Sequence, residues 1–191
     1  MKIKKIFVVV LALSIFSISC NSSSIKSIEN FNNQYFPLKD RMNLRFRSTQ
    51  DSELTKVNVT FKSENDSAII YSFDKFPFIW GSDSAVNVYI TRYGEIYCEL
   101  KGQNLLFLES PEKLTSGNYW HSNGWNISVS EMKELIVNEE KFVDVKKVSY
   151  NLSITFTAEI WFSKGIGVIK WGFNRVNPPN PNMEYFNLVT Y

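Results

Sequence analysis

Between residues 154 and 173 the chain reads ITFTAEIWFSKGIGVIKWGF. Ile154, Phe156, Ala158, Ile160 and Phe162 alternate with Thr155, Thr157, Glu159, Trp161 and Ser163, a period of two that predicts a strand with one buried face. Lys164-Gly165-Ile166-Gly167 supplies the glycines of a tight reversal, and residues 168–173 predict a second strand running back. The same alternation predicts strands at 42–47, 54–62, 85–92, 95–100, 105–109, 119–122, 125–130, 142–149 and 184–191. Residues 68–73 are nearly all apolar, which predicts a strand buried on both faces.

Turn chemistry separates these segments. Tyr93-Gly94 joins two strands, and Asn123-Gly124 is the strongest hairpin signal, because both residues must accept positive φ. Residues 131–137 interrupt the alternation and are read as opening with a single helical turn. Phe76-Pro77-Phe78-Ile79-Trp80 is read as an edge or a covering loop, since Pro77 has no ladder donor. Residues 177–182 (NPPNPN) predict a stiff loop outside any ladder. The expectation is an all-β antiparallel sheet of roughly ten to twelve strands, with no amphipathic helix. It forms one domain over residues 35–191, curled into a barrel-like shape or packed as a sandwich.

The first nineteen residues do not fit that pattern. Lys2, Lys4 and Lys5 precede an apolar run at 6–16 and the small-residue exit Ser17-Ile18-Ser19, which reads as a secretory signal peptide. The run is shorter than the roughly 20 residues a membrane-spanning helix needs. Cys20 stands at the cleavage point and resembles a bacterial lipobox cysteine, so it is the candidate lipidation site, with residues 20–34 as the tether. A strict lipobox carries Leu, Ala or Ser, then Gly or Ala where this chain has Ser17, Ile18 and Ser19; the alternative is plain cleavage and a soluble secreted protein.

Removing residues 1–19 takes away three lysines and no acid, so the net charge moves from +2 to −1. A nearly neutral mature chain carries no electrostatic footprint for nucleic acid. Cys98 alternates with Ile96 and Leu100 and reads as a buried core thiol. A Cys20–Cys98 disulfide is the alternative if Cys20 is not acylated.

Three motifs in the second half resemble a group of mostly uncharacterised bacterial secreted proteins and lipoproteins. They are Pro111 leading into Gly117-Asn118-Tyr119-Trp120, the strand-turn-strand at 137–145 around Phe142, and the aromatic strand at 160–170 that ends in Gly165-Ile166-Gly167 and Lys170. The resemblance covers about residues 105–191. Its middle turn departs from the group's Ala-Gly pair, having Asn138-Glu139-Glu140-Lys141 instead. It implies a curled antiparallel sheet exported from the cytoplasm, and brings no catalytic or cofactor residues.

Catalytic signals are sparse. Gly165-x-Gly167 lacks the third glycine and the following helix of a dinucleotide loop. His121, the single histidine, has no Cys or His at ligand spacing and no Gly-x-Ser-x-Gly elbow beside a serine, so it reads as an exposed strand-end residue. The acids at Glu131, Glu134, Glu139 and Glu140, and those of residues 63–67, read as solvated surface and lack a calcium-loop pattern. The expectation is therefore no enzyme, no catalytic residue, no metal and no cofactor.

Aromatic residues make up 15% of the chain, with tryptophans at 80, 120, 125, 161 and 171. Trp161 and Tyr97 fall on the polar phase of their strands, so they either join a two-layer core or line a groove. The functional expectation is an exported, lipid-anchored envelope protein with a binding or structural role, joined to the membrane by Cys20. The first alternative is a carrier of a lipid or other hydrophobic ligand in a concave aromatic-lined sheet, to be recognised by an interior cavity lined by Trp and Phe, and the more remote one is a hydrolase built on His121.

Overall fold

The computed structural model describes residues 31–79, 84–153, 156–175 and 183–190. Residues 1–30, with the expected signal peptide and Cys20, and also Trp80, Ile154, Thr155 and the 177–182 segment expected to be a stiff loop, lie outside them. Among the described residues twelve strands form in chain order: β1 Met42–Ser48, β2 Leu54–Glu64, β3 Ala68–Phe73, β4 Val86–Thr91, β5 Ile96–Leu100, β6 Gln103–Leu108, β7 Tyr119–Ser122, β8 Trp125–Val137, β9 Glu140–Ser153, β10 Phe156–Ser163, β11 Gly167–Arg175 and β12 Glu184–Thr190. They make one antiparallel sheet in the order β6-β5-β4-β3-β2-β1-β12-β11-β10-β9-β8-β7. Each half of the chain is thus a meander. The halves join where β1 pairs with β12, Phe46 opposite Leu188.

The two outer strands, β6 and β7, come together, so the sheet closes almost completely into a barrel. A single curled sheet replaces the sandwich alternative. Asn123 and Gly124 form the β7–β8 turn with φ of 48° and 82°, as their types require. Two local expectations fail. The helical turn read at 131–137 is the continuation of β8, held to β9 with Leu135 opposite Phe142. The alternation breaks there because Glu131 sits opposite Lys146 instead of facing an apolar core. And β3 buries one face only: Ile69, Tyr71 and Phe73 are buried while Ala68, Ile70 and Ser72 are half-exposed.

Along most strands, apolar inward positions alternate with polar outward ones. On β2, Val57 and Val59 are buried while Lys56, Asn58 and Thr60 are exposed; on β8, Ile127 and Val129 face in while Asn126, Ser128 and Ser130 face water. A barrel embedded in lipid shows the reverse, an apolar outside.

Barrel diameter grows with strand number, and about eight strands already give an interior that their own side chains just fill. Twelve strands leave more room than the inward side chains occupy, and two segments fill it from opposite ends. At the end carrying the β10–β11 turn, Phe36 enters and meets Phe73, Phe107 and Phe162 at ring separations of 6.1, 5.8 and 5.9 Å. At the other end the β3–β4 connection inserts Phe76, Phe78 and Ile79, all with no exposed surface. Phe78 packs edge-on against Phe46 and Trp171, and reaches Phe36 at 6.4 Å. The segment read as an edge or covering loop is therefore a plug.

Residues 31–41 cross the first end like a strap. Asn33, fully buried, donates from Nδ2 to the carbonyls of Gly94 (2.7 Å) and Glu109 (3.1 Å) and accepts from the Tyr35 amide (2.9 Å). The Gln34 carbonyl accepts from the Gly165 amide at 2.7 Å. Residues 31–34, assigned to the tether on sequence, thus pack as part of the domain.

Candidate functional site

The seam between β6 and β7 is closed by side chains. The Leu106 amide donates to Ser122 Oγ (2.8 Å), the Leu106 carbonyl accepts from Trp120 Nε1 (3.1 Å), and the Asn104 carbonyl accepts from Asn123 Nδ2 (2.6 Å). Backbone groups on an outer strand would otherwise stand open as a template for another chain. Here three side chains of the second meander, those of Trp120, Ser122 and Asn123, satisfy groups of β6. Trp120, part of the Gly-x-x-Trp motif, has this role, and nothing in its local spacing signals it.

Beside the seam, at the end plugged by Phe76 and Phe78, lies an open cleft of about 330 Å³. Val86, Leu105, Trp125 and Leu152 give it an apolar floor, and Glu99, Gln103 and Asn123 are among its polar walls. The Glu99 carboxylate accepts from Asn87 Nδ2 (2.9 Å) and Tyr89 OH (3.2 Å), and those bonds hold it below the usual carboxylate range. Behind the floor the described side chains are packed. Trp125 packs edge-on to Phe156 at 5.6 Å and Tyr150 at 6.5 Å, and the Tyr150 hydroxyl donates to the Phe107 carbonyl at 2.6 Å.

The tryptophans divide among different tasks. Trp171 stacks on Phe186 at 3.9 Å inside the barrel. Trp161 faces outward, yet only 6% of its surface is exposed. Lys147 and Lys170 lie over its ring at 5.2 and 5.0 Å, Tyr185 packs edge-on at 5.8 Å, and Lys147 pairs with Glu159 at 2.6 Å. The Lys170 ammonium also sits 4.3 Å from the Tyr185 ring. Burial lowers its pKa, the nearby Lys147 adds to that, and Glu159 opposes it. Trp161 is thus covered on the outside by its own neighbours. Tyr97, the other aromatic expected on the polar phase of its strand, is half-buried opposite Tyr89.

At the strapped end, Tyr35 donates to Asp144 Oδ1 at 3.0 Å, and Lys146 pairs with Glu131 at 3.0 Å and lies 3.6 Å from Asp144. Asp144 has a φ of 50°, in the left-handed region that Asp tolerates better than most residues. The β8–β9 hairpin beyond it reaches across to β12, where Asn138 Nδ2 donates to the Leu188 carbonyl at 2.8 Å.

His121 projects from β7 to solvent with its ring 5.8 Å from that of Tyr119, and it does not line the cleft. Glu131 and Glu134 are held apart on separate lysines, Lys146 and Lys141. Gly165 and Gly167 serve the β10–β11 turn, with φ of 78° and 102°. Cys98 is a fully buried free thiol that burial pushes well up in pKa. A bridge to Cys20 would have to draw that thiol out of the packed interior. Cys20 itself lies outside the described residues. Among the described residues no group of three His, Cys, Asp or Glu side chains is placed to hold a metal, and no helix is long and apolar enough to cross a membrane.

No protein-family model matches this chain, and no curated protein matches it. Solved structures that it resembles include one from Bacteroides fragilis, described as an exported protein with a YmcC-like fold, at 10% identity and a TM-score of 0.46. Another, classed as a lipoprotein, comes from Parabacteroides distasonis, at 8% identity and a TM-score of 0.41. Each comparison covers 82% of this chain and 97% of the other.

Proposed function

We propose that this chain is an exported, lipid-anchored component of a bacterial envelope that binds through its surface and performs no catalysis. The anchor half of the reading is supported by the basic start, the short apolar run and Cys20 at its exit. The surface half rests on one observation: the barrel interior is filled from both ends by Phe36, Phe76, Phe78 and Ile79. A carrier of lipid or another hydrophobic ligand would need an enclosed apolar cavity, typically of about 300 Å³ or more. The cleft of about 330 Å³ lies instead beside the seam, in front of the packed core. A hydrolase built on His121 would need that residue in a cleft beside a serine and an acid, and His121 stands outside the cleft.

Intact mass of the mature protein taken from membranes tests the anchor. The expected result is a diacylglyceryl-sized increase that disappears in Cys20→Ala, with the variant released to the soluble fraction. An unmodified mass beginning at Cys20 would overturn it.

A further inference from the structure

Building on the reading of this domain as a binding module, we propose that the cleft beside the seam is a site for a neutral saccharide, and that a bound sugar ties β6 to β7. The walls suit that chemistry. A pyranose ring presents an apolar C–H face and a rim of hydroxyls, and the cleft offers apolar lining from Val86, Leu105, Trp125 and Leu152 beside the side-chain amides of Gln103 and Asn123. One acid, Glu99, whose carboxylate is taken up by Asn87 and Tyr89, and one base, Lys101, are among the lining residues, so their formal charges balance and favour no ionic ligand. Its volume is that of roughly eleven liquid waters at ~30 Å³ each, room for a ring with its hydroxyls. An extended acyl chain would need depth, and the floor is backed by Tyr150 and Phe156 packed on Trp125.

The position of the cleft links occupancy to barrel closure. Gln103 and Leu105 belong to β6, whereas Asn123 and Trp125 belong to the β7–β8 turn and the start of β8. Asn123 lines the cleft and also donates to the Asn104 carbonyl across the seam. A ligand that touches both walls favours the closed arrangement by mass action, since it binds the closed seam better than an opened one.

The full mature chain is screened on an array of neutral, acidic and amino oligosaccharides, with octanoate as the amphiphile control. Neutral members are expected to bind. Gln103→Ala, at an exposed position, weakens binding by about tenfold, the scale of one hydrogen bond. Ala85→Trp, which fills the cleft from its exposed wall, removes binding, and both variants keep the wild-type melting temperature. At saturating sugar, exchange of the Leu106 amide slows by about fivefold or more. The inference is overturned if no neutral saccharide binds, if octanoate alone binds, if both variants bind like wild type, or if Leu106 exchange is unchanged. None of these outcomes bears on Cys20, whose acylation is read separately by mass.

Discussion

Gly172 has no room for a methyl group. A Cβ there would lie 2.5 Å from Tyr185 Cδ1 and 2.7 Å from the Glu184 carbonyl oxygen, because the tyrosine ring lies across the glycine on its way to Trp161 and Lys170. Gly172→Ala is expected to cost about 1–3 kcal/mol by overpacking, measured by chemical denaturation. Adding Tyr185→Ala should recover only part of the loss, because the backbone oxygen stays in place. Full recovery would show that the ring alone sets the limit. Residues such as these were poorly legible in the sequence. The alternation placed Trp161 on the outer face, but not the lysines that lie over it, because Lys147 and Lys170 come from two different neighbouring strands. Cys98 was legible, since its phase within β5 is enough to bury it.

Two elements, the seam and the strapped hairpin, carry predictions of their own. Ser122→Ala leaves the Leu106 amide without its hydroxyl acceptor and is expected to destabilise by about 1–2 kcal/mol. Faster hydrogen exchange should appear along β6 and spare β10, which lies far from the seam. Uniform acceleration over the whole sheet would mean that the seam does not open locally. At the hairpin, Lys146 feels opposing effects. Burial pushes its pKa down, but the hydrogen bond and charge of Glu131, with help from Tyr35, hold it above the ordinary lysine value. The Lys146 hydrogen bond in turn holds the Glu131 carboxyl below the ordinary range. The lysine's contribution is present at neutral pH and lost as pH rises through the lysine range, above about 10.5. The glutamate's is lost as pH falls through the carboxylate range, below about 4. Glu131→Gln should flatten both limbs of a plot of melting temperature against pH. Wild-type limbs in the variant would show that the pair contributes nothing. Strands and turns were read well because alternation and Asn123-Gly124 are local signals. The second half of β8 was misread because its inward positions carry Glu131, which is satisfied by a lysine fifteen residues away in the chain.

At the scale of the molecule, the filled barrel is a statement about volume. Pro77 takes its segment out of the ladder, a local signal, but whether that segment covers the barrel or enters it depends on the room that twelve strands leave inside. Phe78→Ala is expected to cost about 3–5 kcal/mol. The space it leaves is lined by Phe36, Phe46, Phe76 and Trp171, so a dry apolar probe such as xenon should enter it in a pressurised crystal. Collapse without xenon uptake would mean that the plug can shift to fill its own gap. The strand order has one more consequence, for where the chain can be cut. Because β1 meets β12 in the middle of the sheet and the 109–118 connection bridges strands that share no ladder, a single nick in that connection severs no strand pairing. The two fragments, each a six-strand meander, would stay joined through Phe46 opposite Leu188 and its neighbours, as a split protein that reassembles from separately made halves.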